Sequence, residues 1–199
     1  WKDRKRNANI TLPSIDLELI NLGQEYLLDA DLHTSSGEVK MRAMASGNLL
    51  TSNWSAQTYI SSSSFNASEM FEAYLPDHYQ VENLVVDLNS WSNWVQGRHS
   101  NTRADFQVGP FSLGSKNRGS VPIDGVRGSI NHRVEADGWQ LQMADLSLTM
   151  WQRSWPEAKV TLDYQQTDNE VSTYKLAADF LRLQDVVEIA SLEPGSGEL

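Results

Sequence analysis

The residues best equipped for chemistry are four histidines, His33, His78, His99 and His132, and a scatter of carboxylates. Imidazoles hold a metal or relay a proton when partner ligands follow at fixed spacing, as in H-E-x-x-H on a helix. These four share no such spacing. Asp29, Asp31, Asp87 and Asp163 each stand between apolar neighbours, where solvent-facing strand residues belong. A glycosidase pair is set by space rather than sequence, so this chemistry is disfavoured by pattern alone, not excluded. There is no nucleophile elbow, phosphate loop or dinucleotide fingerprint. The absence of cysteine removes thiolate nucleophiles, thiolate metal sites and disulfides together. The expectation is a protein that is not an enzyme and has no catalytic residue, metal site or cofactor.

Seven tryptophans remain: Trp1, Trp54, Trp91, Trp94, Trp139, Trp151 and Trp155. Aromatic rings on a sheet serve as a carbohydrate platform, as the wall of a lipid groove, or as core. Trp54 and Trp139 are in phase with aliphatic neighbours and read as core. Trp91 and Trp94 fall in a stretch read as irregular, where exposure would suit a sugar platform. Trp151 and Trp155 flank the turn before the strand that starts at Ala158.

The elements that position these residues follow a period of two. Ile15, Leu17 and Leu19 alternate with acidic residues, and Leu28, Ala30 and Leu32 with Asp29 and Asp31. Similar runs are Val39–Ala45, Trp54–Ile60, Leu84–Leu88, Thr102–Val108, Ala158–Tyr164 and Tyr174–Phe180, each a strand with one apolar face. Short connections cannot hold parallel crossovers, so the fold class is mainly β, an antiparallel meander forming a curved sheet or groove. Asp137-Gly138, read as a type I′ loop, pairs Ala136 with Trp139, Val134 with Leu141 and His132 with Met143. The apolar phase then jumps from Met143 to Leu146, which predicts a β-bulge near Ala144-Asp145, with Ile130 facing Leu146 and Val126 facing Met150. His132 takes an inward phase. Residues 114–120 have no periodicity and read as an exposed loop.

Two short amphipathic helices interrupt the strands. Ala67, Met70, Phe71, Tyr74 and Leu75 share one helical face, capped by Asn66 with Glu69 and stopped by Pro76. Leu183, Val186, Val187 and Ala190 repeat that spacing, with Asp185 and Glu188 as the cap pair and Pro194 as the stop. Each helix follows a strand that ends in an aromatic residue. This predicts a repeat: a first unit at 1–78, a second at 79–193 and a linker-like tail at 194–199, together one continuous β domain.

A net charge of −10 opposes binding to nucleic-acid phosphates, and the basic run Lys2, Arg4, Lys5 and Arg6 reads as a solvated flank. No apolar run reaches the length of a membrane span. Hydrophobic content of 40% with 21% charge suits a folded domain rather than a disordered one.

The run from Asp137 to Leu148, DGWQLQMADLSL, resembles the G-W-x-L-x-L-x-D-L-x-L strands of AsmA-like envelope proteins. The stretch from Ala178 to Val187, ADFLRLQDVV, is similar to the segment that precedes a short helix in that family. The likeness is strongest to the very large YhdP-type members, over roughly residues 79–193. It implies a periplasmic segment of a protein anchored in the inner membrane of a Gram-negative bacterium. It further implies phospholipid transport between membranes and support of the outer-membrane permeability barrier, with no catalytic residues. On that reading Trp139, Leu141, Met143, Leu146, Leu148, Met150, Val160 and Leu162 line the acyl-chain surface. The partners are phospholipid and neighbouring segments of the same protein. The sequence leaves open a carbohydrate-binding sandwich using Trp91 and Trp94, and an assembly module without a small ligand.

Overall fold

A computed structural model describes residues 2–3, 8–9, 14–72, 75–76, 79–115, 119–166 and 172–190. A two-residue pair, β1 (Lys2–Asp3) and β2 (Ala8–Asn9), forms its own ladder. The main sheet is built from β3 (Ser14–Asn21), β4 (Glu25–Thr34), β5 (Gly37–Gly47) and β6 (Trp54–Asn66). After α1 (Ser68–Glu72) and β7 (Tyr79–Glu82) it continues with β8 (Val85–Val95) and β9 (Arg98–Val108). The chain then makes β10 (Phe111–Ser115) and β11 (Gly119–Ile123) before returning as β12 (Gly125–Glu135) and β13 (Gly138–Met150). The short β14 (Arg153–Ser154) pairs with β13, and β15 (Ala158–Gln166), β16 (Ser172–Ala178) and α2 (Leu183–Ala190) follow.

Every pairing in the main sheet is antiparallel, and its strands lie in chain order from β3 at one edge to β16 at the other. It is an open meander with two excursions. β7 arises in the link from β6 to β8, and β10 and β11 in the link from β9 to β12. The two excursions find each other and pair as a second sheet in the order β11-β10-β7. The strands of this small sheet are too short for alternation to announce them. Leu84, read as the start of a strand, is instead a buried connector between β7 and β8.

The small sheet caps one end of the large one. Val121 and Ile123 of β11 meet Met150, with Val126, Leu148 and Trp151 beside them. Val81 of β7 joins Ala67 and Leu84 against Phe65, Val86 and Val108. This is the closed core of the molecule, and Met150 within it has no exposure.

Several local expectations need correction. The β12–β13 register is offset by two residues: Val134 pairs with Trp139, His132 with Leu141, Ile130 with Met143 and Val126 with Leu148. The two-residue loop is Ala136-Asp137, and Gly138 is already in the strand. Gly138 is needed for a close approach, because a Cβ there would collide with the Tyr164 carbonyl of β15. The bulge falls as expected, with Asp145 at φ 52°, so both halves of β13 keep one face. Trp91 and Trp94 both lie in strand β8, whose pairing with β9 shifts register between Asn93 and Trp94. Gly114, Ser115, Gly119 and Ser120 pair across the β10–β11 hairpin instead of forming a loop.

The helices also differ from expectation. Asn66 caps α1 by accepting from Ser68 N–H at 3.1 Å, while Tyr74 lies outside the described residues. In α2 the predicted apolar face points away from the core, with Leu183 72% and Val187 64% exposed. The inward positions are Asp185 and Ile189. Asp185 sits inside the first turn rather than at the cap, fully buried. Its carboxylate accepts from Trp155 Nε1–H at 2.6 Å and from Arg153 and Arg182, each at 3.3 Å. That network fixes the rotation of the helix and outweighs its amphipathic stripe.

Candidate functional site

Cross-strand partners share a face, so the registers sort every side chain of the meander. One row runs across ten strands: Leu17, Ala30, Met41, Ile60, Ser90, Ala104, Ile130, Met143, Val160 and Ala178. The next row, two residues along, reads Leu19, Leu28, Ala43, Thr58, Ser92, Thr102, His132, Leu141, Leu162 and Leu176. No Asp, Glu, Lys or Arg lies on this face among the described strand residues.

The charges are all opposite. Asp29 pairs with Arg42 at 2.6 Å, Asp163 accepts from Gln140 at 2.8 Å, and Asp87 accepts from Ser64 N–H at 2.7 Å. His33 stands 3.7 Å from Asp16 on that wet face. His78 lies outside the described residues. Among those described, no three His, Asp or Glu side chains gather where they could hold a metal ion.

The uncharged face has two regimes. Under the small sheet it is sealed. Beyond that it opens as a groove of about 800 Å³ whose wall includes Leu32, Val39, Ile60, Leu88, Phe106 and Ile130, with Met70 and Phe71 of α1 above one end. Leu141, Met143, Leu146, Val160 and Leu162 carry the same face onto β13 and β15, half-buried. Leu148 and Met150 belong to the sealed region. At the outer edges Leu17 and Leu176 stand 62% and 67% exposed.

Along one rim of this face seven rings touch in sequence, from Trp54 through Trp94, His99, His132, Trp139 and Tyr164 to Tyr174. His99 and His132 stack with centroids 5.3 Å apart. Burial, with His99 second, holds the His132 imidazole below its ordinary pKa, so the neutral ring is favoured. Sequence spacing hid this pair because it depends on the β9–β12 register. Trp91 pairs with Tyr59 and Trp94 with Ala56, which places the two tryptophans on opposite faces of β8. They cannot form one carbohydrate platform.

The family comparison fits this architecture. The model of the YhdP protein family matches residues 1–198. The chain belongs to the YhdP family. Its β-rich, open antiparallel sheet is therefore a segment of an AsmA-like envelope protein of the YhdP type. No helix among the described residues is long and apolar enough to cross a membrane. No curated protein and no solved structure matches the chain.

Proposed function

We propose that this chain is a periplasmic stretch of an inner-membrane-anchored YhdP-type protein that shields phospholipid in passage between membranes and so supports the outer-membrane permeability barrier. The observation that carries the reading is the ten-strand face without a charge, left partly uncovered above a groove of about 800 Å³. Acyl chains lie on that face and headgroups stay in water. Each methylene removed from water contributes about 0.8 kcal/mol. Binding is passive, with no covalent step. Lining is assigned to Trp139, Leu141, Met143, Leu146, Val160 and Leu162, together with the groove residues of β4 to β12. Leu148 and Met150 belong to the sealed end beside it.

The two outer strands extend the proposal. Among the described residues, β3 and β16 each leave one ladder unpaired beside exposed leucines, as edges do when neighbouring segments continue a sheet. The test is native mass spectrometry of the chain purified from bacterial cells, then incubated with phosphatidylglycerol vesicles. Phospholipid bound before or after incubation is the expected result. A lipid-free chain after both steps would contradict the reading.

A further inference from the structure

The uncharged face carries a polar island centred on Ser92, Trp94, His99, Thr102 and His132. It lies one row beyond the Ile60–Ser90–Ala104–Ile130 row beside the groove, a step of about 7 Å along the strands. Thr102 Oγ1 is 2.6 Å from Ser92 Oγ and 2.7 Å from His99 Nε2. Three donors thus share two hydrogen bonds, because each hydroxyl and the neutral imidazole carry one proton apiece. Whichever tautomer His99 adopts and whichever way the hydroxyls turn, one donor proton is left over. Trp94 presses its ring on His99 at 5.3 Å, and its Nε1–H is buried without a partner among the described residues. Indole is a donor only. His132, stacked on His99, adds a ring N–H with no hydrogen-bond partner there.

The island therefore offers donor protons that its own two hydrogen bonds leave unused, and it carries no fixed charge. The nearby guanidinium groups of Arg103 and Arg133 belong to the opposite face by register. An anionic phosphate is best met by cations or a charged fork, and none is present. A neutral carbonyl oxygen suits the site: it accepts from the unused hydroxyl and imidazole protons and needs no charge compensation.

We propose that the island binds the ester carbonyls of an acyl lipid, so that the glycerol esters sit at Thr102 and His132 while the chain runs along the strands into the groove toward Phe65 and Phe71. From Ser92 to Val86 is six residues, or about 20 Å, the reach of an extended long acyl chain. The inference rests on the acyl-lipid reading above and adds a position and a polarity to it.

Ester-linked and ether-linked phosphatidylglycerols of equal chain length separate the two claims, since the ether lacks only the carbonyl oxygens. Binding of each to the whole chain is measured by tryptophan fluorescence and native mass spectrometry. The ester lipid is expected to bind about tenfold more tightly, in keeping with one or two net hydrogen bonds. That preference is expected to vanish in Thr102→Val/His132→Phe, with ether-lipid affinity unchanged. Ser92→Ala serves where the double variant fails to unfold cooperatively. Equal binding of ester and ether lipids would overturn the carbonyl site while leaving the acyl-chain face standing. Binding of neither lipid would overturn both.

Discussion

Met150 and Leu162 project from neighbouring strands on the same face, yet one is sealed and the other stands in a half-open surface. The closed end owes its cover to two excursions of the chain that pair above Val86, Val108, Val126 and Leu148. The open end is equally free of charge and has no cover within the described residues. A residue's pattern therefore says which face it takes, while the topology of the links says whether that face is core or surface. Stability resides at the first end, and the proposed binding surface is the second.

The sharpest way to break this contrast is truncation on both sides. Met150→Ala is expected to lose about 2–5 kcal/mol in urea unfolding, since its cavity cannot collapse beneath the small sheet. Leu176→Ala, 67% exposed on the open side, is expected to change stability by no more than about 0.5 kcal/mol. Equal losses would mean that the face is closed throughout.

Asp185→Ala tests the clamp that holds α2 at the closed end. Trp155 Nε1–H would lose its acceptor, for an expected cost of about 1–3 kcal/mol. Most of that cost comes from the buried indole, because Arg153 and Arg182 remain in partial contact with water. The tryptophan emission of the folded variant should shift as Trp155 loosens. Asp185→Asn, which keeps an acceptor oxygen, should fall between.

Gly138→Ala probes the open end through its backbone. The added methyl meets the Tyr164 carbonyl, so β15 must move away from β13, at a cost toward the upper end of about 1–3 kcal/mol. Faster amide exchange confined to β15 and β16 would be the signature, with β10 and β11 unaffected.

The smallest expected effect is a pH dependence at the aromatic rim. His132 has a lowered pKa in the fold, so the unfolded chain takes up its proton first as pH falls through about 6.5. Its contribution to stability is thus complete above that value and declines below it, until the folded-state pKa is reached. The groups around it, His99, Trp139, Thr102 and Leu141, add no carboxylate that would reverse the sign. His132→Phe should flatten the urea midpoint between pH 7 and pH 5.

Much of this arrangement could be read from the residues alone, because period-two alternation is local. The single apolar face of β13 on both sides of its bulge follows from the phase jump between Met143 and Leu146. What failed were features set by distant partners. Gly138 looked like a turn residue, but its reason is a carbonyl on β15, and the register was read two residues away as a result. The small sheet escaped because Tyr79–Glu82 and Phe111–Ser115 are too short to show a period. Leu183 and Val187 looked like the buried stripe of α2 because nothing in sequence links Asp185 to Trp155. The polar island was hidden for the same reason: Ser92, His99, Thr102 and His132 become neighbours only once three strands are in register.

The most direct test of an open, uncharged binding face is the double variant Leu141→Asp/Leu162→Asp, assayed in one preparation for cooperative unfolding and for bound phosphatidylglycerol. An open face gives a chain that still unfolds cooperatively and has lost its phospholipid. A variant that no longer folds, or one that folds and keeps its lipid, would contradict it.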